Sequence, residues 1–266
     1  MHIFVVILYN PLFNGLMFLQ KYIPGHDLGI AIILLTLLIK GLLFWPSLSA
    51  IHNQQKMQEI QPKLKELQAK YKDNKEELSR QTMAFYKNNK VNPFSSCLPL
   101  LLQLPILFAL YRVFFSGINI DPTTHLFNGD QLSHLYPFLR SFFEHTQVST
   151  TFLDFLNLTA KHNVVLAILA GAAQFWQSKM MMSRQPPKVA GVKADGSKDE
   201  QVTAIMSKQM TYLLPAMTVI FGYQFPAGLS LYWVVSTLFQ VAQQYYYFKW
   251  HKPKMANNVP EVLPKP

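Results

Sequence analysis

Hydrophobic positions along this chain gather into long apolar runs that are separated by polar and charged stretches. A helix of about 20 apolar residues is long enough to cross the hydrocarbon core of a bilayer. Because such runs recur, and a globular core does not need them, the pattern predicts an all-α polytopic membrane protein with a five-helix transmembrane core. The predicted spans cover residues 28–48, 97–117, 162–180, 209–225 and 228–248.

A different pattern follows the first predicted span, where apolar residues recur at steps of three and four among charged ones. This spacing is typical of an amphipathic helix. A break at residues 72–74 precedes a second helical stretch at 75–89, which ends before Asn92 and Pro93. Residues 49–96 are therefore predicted to form a helical hairpin. Its helices either pack on each other in solvent or form a docking paddle for partners or lipid head groups. The apolar residues of the first helix, here called the hairpin stripe, are Met57, Ile60, Leu64, Leu67 and Tyr71.

The first 27 residues are harder to place relative to the bilayer. Residues 3–23 are apolar enough to insert, but Asn10, Pro11, Asn14 and Gly15 interrupt them and no basic region precedes them. We expect an interfacial helix on the outer face of the membrane within residues 1–27. A sixth span or an unusual signal anchor is the alternative. The positive-inside rule depends on basic residues, and a short uncharged N-terminus does not provide them.

The distribution of basic residues predicts how the spans are oriented. Lysine and arginine are concentrated in residues 49–96 and 181–208, whereas residues 118–161 carry few of them. By the positive-inside rule, the two basic segments are cytoplasmic and the third lies outside. The N-terminus is then outside, and the basic tail 249–266 is cytoplasmic. Residues 184–200 are rich in proline, glycine and charge and are expected to form a flexible loop.

The formal net charge of +10 resembles that of a nucleic-acid-binding protein, but the charges lie between the apolar runs and not on one continuous face. Membrane topology explains them better than DNA binding does, and anionic lipid is an expected partner. No predicted span contains Asp or Glu in its interior, and the chain has no HExxH, GxSxG or Walker motif. An enzyme, a metal site and a cofactor are therefore not predicted. The single cysteine, Cys97, cannot form an internal disulfide and is interpreted as an ordinary helix residue.

One cationic side chain, Lys40, lies near the middle of the first span, four residues after Thr36 on the same helical face. An ammonium group facing lipid at that depth would cost about 3 kcal/mol on insertion scales. We therefore infer a hydrated groove inside the bundle, open toward the cytoplasm, which could attract an acidic or polar segment of another protein. In the alternative interpretation, Lys40 snorkels and the other polar residues of the spans bond helix to helix. Those residues are Gln103, Gln174, Gln177, Ser236, Gln240, Gln243 and Gln244.

Three stretches carry a resemblance to a known family, in the order LGIAIILLTLLIKGLLFWPSLS, KVNPFSSCLPLLLQLPI and FPAGLSLYW. Over roughly residues 28–248, the chain resembles bacterial members of the YidC/Oxa/Alb family of membrane protein insertases. The resemblance implies a five-helix core around a cytoplasm-facing hydrophilic groove, a mobile cytoplasmic hairpin, and a basic tail that approaches ribosomes. Lys40 stands where the family typically has arginine. Positive charge is kept but bidentate carboxylate pairing is lost, which implies a different substrate preference.

The resemblance also places Thr36, Gln103 and Trp233 along the groove or on helices that contact the substrate, although aromatic residues in bundles more commonly serve packing. The complete predicted substrate groove consists of Lys40, Thr36, Gln103, Trp233, Ser236 and Gln240. The large outer-face domain of some relatives is expected to be absent, because residues 1–27 are too short to hold it. The tail beyond Lys252 is short, which argues against strong independent ribosome binding.

The predicted function is that of a membrane protein insertase and chaperone in the bacterial cytoplasmic (inner) membrane. It would act on nascent membrane proteins, alone or beside the Sec translocon, without a cofactor. A small channel or transporter with a polar intramembrane groove is the alternative, because such a protein also needs a buried polar path. A purely structural partner of the Sec translocon or the ribosome is a third class.

Overall fold

The computed structural model describes residues 2–92, 98–118, 120–121, 123–182 and 198–250. These residues are predominantly helical, which agrees with the all-α class predicted from the hydrophobic pattern. Cys97, most of the predicted flexible loop and the tail after residue 250 lie outside the described residues.

The α-helices are α1 (His2–Phe4), α2 (Asn10–Tyr22), α3 (Leu28–Leu42), α4 (Phe44–Lys70), α5 (Lys75–Asn88), α6 (Leu98–Arg112), α7 (Gly129–His134), α8 (Pro137–Phe143), α9 (Val164–Met182), α10 (Lys198–Gln224) and α11 (Ala227–Trp250). Two short antiparallel strands, β1 (Thr151–Phe152) and β2 (Leu156–Asn157), precede α9.

The first predicted span is divided between two helices. α3 ends at Leu42 and α4 begins at Phe44, and the two helices are bent by 65° relative to each other. Pro46 has no backbone N–H and cannot donate to the carbonyl of Leu42, so the sequence favours a break at this point. No single helix of the described residues has both the length and the mean hydropathy of a membrane span, whereas α3 and α4 meet both criteria together.

The three C-terminal helices pack side by side. α9 packs along α10 and α11, and α11 also packs against α3. Gly171 allows α9 and α10 to approach closely, because a Cβ atom there would lie 2.3 Å from Cγ2 of Val219. At the turn between α10 and α11, the Ser230 hydroxyl donates a 2.8 Å hydrogen bond to the carbonyl of Gly222. α11 is thus anchored by neighbours along its length.

The N-terminal helices and the segment before α9 cover one end of the bundle. This part, here called the cap, consists of α1, α2, α7, α8 and the two strands, and a π-helical turn at Val5–Tyr9 joins α1 to α2. Within the cap, Asn14 attaches α2 to α7 and α8. Its Nδ2 donates to the carbonyl of His134 at 2.8 Å, and its Oδ1 accepts from the amide of Tyr136 at 2.6 Å. Because these bonds satisfy buried polar groups, they fix α2 to the connection between α7 and α8 within the cap.

α4 and α5 form a helical hairpin that is stabilised by its own hydrophobic cluster. Asn74 caps α5, since its side chain accepts a 3.0 Å hydrogen bond from the amide of Glu77. The hairpin stripe packs inside the hairpin, where Ile60 and Leu67 are buried. Its partners from α5 and the following residues are Phe85, Tyr86 and Val91.

A separate small cluster attaches the start of α4 to the ends of α9 and α11. It consists of Leu48, Ile51, Met181, Tyr247 and Phe248. Beside it, Nδ1 of His52 and the hydroxyl of Tyr247 are joined by a 2.6 Å hydrogen bond. The base of the hairpin is therefore fixed to the bundle, whereas the rest of the hairpin has a hydrophobic cluster of its own.

Candidate functional site

Lys40 occupies the last turn of α3, and only 8% of its surface is exposed. Its ammonium donates a 3.0 Å hydrogen bond to Oε1 of Gln103 on α6. The described residues supply no carboxylate to Lys40, since the ion pairs found among them lie on α5 and at the end of α8. Gln103 is therefore a neutral partner for a buried cation, which is a weaker form of compensation than an ion pair.

Gln103 links Lys40 to α11 through a second hydrogen bond. Nε2 of Gln103 donates a hydrogen bond to the hydroxyl of Tyr232, and Ser236, one turn further along α11, lies beside that hydroxyl. Tyr232 is fully buried. The chain Lys40, Gln103, Tyr232 and Ser236, here called the polar bridge, joins α3, α6 and α11 through long side chains.

A small open cavity lies beside the polar bridge, at the bend between α3 and α4. On its far side, the Ser47 hydroxyl donates to Oε1 of Gln243 at 2.8 Å, and Nε2 of Gln243 donates to the carbonyl of Phe44 at 2.9 Å. Gln240 accepts a 2.7 Å hydrogen bond from Gln177 of α9. The lining residues are Lys40, Leu43, Ser47, Ala50, Gln103, Gln240 and Gln243. The walls thus combine one cation with several amide groups, which suits a polar guest.

The structure brings some of the predicted groove residues together and separates others. Lys40, Gln103 and Gln240 line the cavity, and Ser236 belongs to the polar bridge. The Thr36 hydroxyl instead donates a 2.6 Å hydrogen bond to the carbonyl of Ile32 in its own helix. Thr36 is buried there and does not line the cavity.

Trp233 also lies away from the cavity. Its ring packs on Phe225 with a centroid distance of 6.2 Å, at the edge of the main hydrophobic cluster. The neighbouring residue Tyr232 contacts Gln103 instead. The position of Trp233 is that of a packing residue, and a contact between Trp233 and a substrate stays a prediction.

Three polar residues of this site were not among the predicted groove residues: Tyr232, Ser47 and Gln243. On α11, a signal was present, because Tyr232, Ser236, Gln240 and Gln243 recur at steps of four, four and three and so share one helical face. Ser47 offered no such signal, because it reaches the cavity only through the bend that follows α3.

Titratable groups on the hairpin surface are perturbed without forming a reactive site. Hydrogen bonds from Arg80 and Gln81 lower the pKa of Glu77, and burial raises the pKa of Tyr86. Throughout the described parts of the chain, no group of three or more His, Cys, Asp or Glu side chains is arranged to hold a metal ion. The polar cavity is therefore the strongest candidate site that the described residues offer.

The family model of the 60Kd inner membrane protein matches residues 18–254 of this chain. The chain belongs to this family. Three relatives carry the name "Membrane protein insertase YidC". The one from Fusobacterium nucleatum is 34% identical over 246 residues, which are 91% of this chain and 97% of the relative. That from Clostridium perfringens is 36% identical over 222 residues, which are 84% and 79% of the two chains.

Other members of the 60Kd inner membrane protein family are much longer. The relative from Syntrophobacter fumaroxidans is 33% identical over 238 residues, which are 89% of this chain but only 37% of that relative. The resemblance inferred from the three sequence stretches is thus confirmed. As a member of this family, the chain is a bacterial inner membrane protein.

Proposed function

We propose that this chain is a membrane protein insertase, which receives hydrophobic segments of nascent membrane proteins and helps them to enter and fold in the bilayer. The observation that carries the proposal is the buried ammonium of Lys40, which faces an open polar cavity and has a neutral amide as its partner. The name that the relatives carry, membrane protein insertase, supports the same activity.

The chemistry of the cavity suits this task. Polar parts of a client that must cross the bilayer lose their hydration, and this cost opposes insertion. An ammonium and a carboxylate 4 Å apart attract each other by about 4 kcal/mol at an effective dielectric constant of about 20. A cation beside amide groups therefore offsets part of the desolvation cost and shortens the apolar part of the crossing.

The orientation of the chain is part of the proposal. α3, α6, α9, α10 and α11 form the five-helix transmembrane core, with the N-terminus and the cap outside. The hairpin, residues 181–208 and the basic tail are cytoplasmic, because they carry most of the lysine and arginine. The cavity opens toward the cytoplasm, where nascent chains emerge, and contacts with the Sec translocon, ribosomes and anionic lipid take place on this face.

The hairpin acts in this scheme as a docking paddle beside the entrance. Its stripe is already used for internal packing, so contacts with partners use its charged outer faces. If residues 58–87 are deleted and both folding and client insertion remain intact, the hairpin has no such role.

The test of the proposal uses purified protein in proteoliposomes and a single-span client with an acidic translocated segment. Lys40→Ala should lower insertion by about tenfold, which corresponds to about 1.4 kcal/mol. Lys40→Arg should retain most of the activity because the positive charge is kept. Lys70→Ala, at an exposed lysine on the hairpin, serves as the matched control. Equal insertion by all four proteins would contradict the electrostatic role.

A small channel or transporter is the second candidate, because a polar cavity between helices also suits an ion or solute path. The same vesicles separate the two functions. Flux of ions or small solutes without insertion of the client would favour the transporter, whereas insertion without flux would favour the insertase.

A further inference from the structure

We propose that Gln103 determines client specificity by acting as a built-in neutral ligand of Lys40, which an incoming acidic group must displace. This inference rests on the proposed insertase function. It adds a competition step, because Lys40 is already hydrogen-bonded to Oε1 of Gln103 at 3.0 Å before a client binds.

The orientation of the Gln103 amide is set from both ends. Its NH2 group donates to the hydroxyl of Tyr232, so its carbonyl oxygen is left to face the ammonium of Lys40. A flipped amide would direct its NH2 group at the ammonium, and two donors would oppose each other. Tyr232 is fully buried in the main hydrophobic cluster, and this packing holds its hydroxyl in place. Tyr232 is therefore the positioning residue for Gln103.

The other polar residues of the cavity have partners of their own. The hydroxyl of Ser47 donates to Gln243, whose NH2 group donates to the carbonyl of Phe44. Oε1 of Gln240 accepts a hydrogen bond from Gln177. Gln103 is thus the residue that the described part of the chain provides as a ligand for Lys40.

A neutral ligand of this kind discriminates by charge. The bond from Lys40 to Gln103 already has an ionised donor, but its acceptor is neutral. A client carboxylate adds the Coulomb attraction of a full opposite charge, so an acidic client side chain can displace the amide. A neutral hydroxyl or amide of a client has no such advantage over Gln103, because it offers the same bond that Lys40 already has. Competition with Gln103 therefore favours the binding of acidic client segments to Lys40 over that of neutral ones.

Displacement of Gln103 also changes the connection between the helices. α6 reaches α3 and α11 at this level through the side chains of the polar bridge. When a client carboxylate binds Lys40, the hydrogen bond from Lys40 of α3 to Gln103 of α6 is broken. The hydrogen bond from Gln103 to Tyr232 can remain. Recognition of an acidic segment is thereby linked to the loosening of α6 from α3.

The test compares two clients in proteoliposomes that contain the full chain. The clients are identical except that the translocated segment carries two Asp residues in one and two Asn residues in the other. Gln103→Glu places a resident carboxylate beside Lys40 in nearly the same shape. Insertion of the Asp client should fall by about tenfold, while insertion of the Asn client should change by less than about twofold.

Removing the competitor should have the opposite effect. Gln103→Leu leaves Lys40 without its ligand, so the ratio of Asp to Asn client insertion should rise by about threefold or more. Tyr232→Phe should raise the ratio in the same direction by a smaller factor, because Gln103 then loses its anchor. Gln224→Glu, at an exposed glutamine at the end of α10, is the matched control and should leave the ratio unchanged.

The outcomes separate this inference from the proposed function. If the unaltered chain inserts neither client, the insertase function itself fails. If it inserts both clients but Gln103→Glu and Gln103→Leu leave the Asp-to-Asn ratio unchanged, the competition is wrong. Thermal unfolding in detergent shows whether Gln103→Glu folds. If it does not fold, the Asp-to-Asn insertion ratios of Gln103→Leu and Tyr232→Phe test the competition instead. An unchanged ratio in both variants overturns the proposal.

Discussion

α3 and α11 run side by side, but their two ends are built in different ways. At the end beneath the cap, their side chains are apolar and closely packed: Leu28, Ala31, Ala227 and Leu229 are fully buried in the main hydrophobic cluster. At the other end, the same two helices carry Lys40 and Gln243 and border a small open cavity. A dry, tightly packed half thus holds the helices in position, so that the polar half can remain open without loss of the fold.

The largest expected effect comes from weakening the packed end. Phe13 is completely buried and its ring lies 5.7 Å from that of Tyr9 and 6.0 Å from that of Phe127. Phe13→Ala should lower the free energy of unfolding by about 3–5 kcal/mol, because it removes a large apolar side chain and leaves a cavity. Unfolding in detergent measures this loss. Phe18→Ala, at an exposed residue of the same helix, is the control and should cost less than about 1 kcal/mol. Equal losses would show that the cap is not the stable half.

A smaller effect is expected from adding volume at the packed end. A Cβ atom on Gly228 would lie 2.7 Å from Cε1 of Phe114, so Gly228→Val should destabilise the protein by about 1–3 kcal/mol. Gly41, at the open end, has no atom within 4 Å of a Cβ at that position. Gly41→Ala should therefore be neutral or stabilising by up to about 1 kcal/mol, because alanine favours the helix. Unfolding midpoints of the two variants compare the two ends directly, and destabilisation by Gly41→Ala would contradict the open space around Gly41.

Lys40 should contribute to function without contributing to stability. Lys40→Met removes a buried cation whose partner is only a neutral amide, so the free energy of unfolding should change by less than about 1 kcal/mol. Client insertion should nevertheless fall as it does for Lys40→Ala. Unfolding and insertion are measured on the same preparation. A loss of stability as large as that of Phe13→Ala would identify Lys40 as a structural residue.

The smallest effect concerns acid sensitivity at the cap end. Hydrogen bonds from the side chain and amide of Thr123 and from the amide of Thr124 lower the pKa of Asp121 to about 2. Because the folded-state pKa lies below the unfolded one, this stabilisation is complete above the unfolded pKa and is lost as the pH falls toward about 2. Relative to the intrinsic exchange rate at each pH, hydrogen exchange at the amides of Thr123 and Thr124 should accelerate over that window, so their protection factors should fall. Asp121→Asn should remove the pH dependence, and unchanged exchange in the unaltered chain would refute the assignment.

Helix positions were largely predictable because they depend on local periodicity. The steps of three and four in the hairpin stripe mark one face of a helix, and residues 72–74 lie in the connection between α4 and α5. The bend after α3 was not predicted, although Pro46 is visible in the sequence. An apolar run continues through it, and hydropathy alone does not register a missing backbone donor. The start of α10 at Lys198 also lies inside the segment predicted as a loop, since composition there is polar.

The candidate site was predictable only in part. Lys40 stood out because a cation is costly in an apolar run, and Gln103 and Gln240 share its cavity. Of the adjacent residues Tyr232 and Trp233, the prediction named only Trp233, whereas it is the Tyr232 hydroxyl that accepts the hydrogen bond from Gln103. Neighbouring residues on a helix point about 100° apart, so the rotation of α11 about its axis decides which of them reaches α6.

By itself, the sequence determined the membership of the family, the helical character of the chain and the presence of one costly charge, Lys40, within an apolar run. These properties follow from composition, order and local period. Only the tertiary structure decided that the partner of Lys40 is Gln103, 63 positions away, that Tyr232 orients Gln103, and that Ser47 reaches the same cavity. The physical reason is that burial and hydrogen bonding depend on which faces of separate helices meet, and neither hydropathy nor spacing within one helix specifies that encounter.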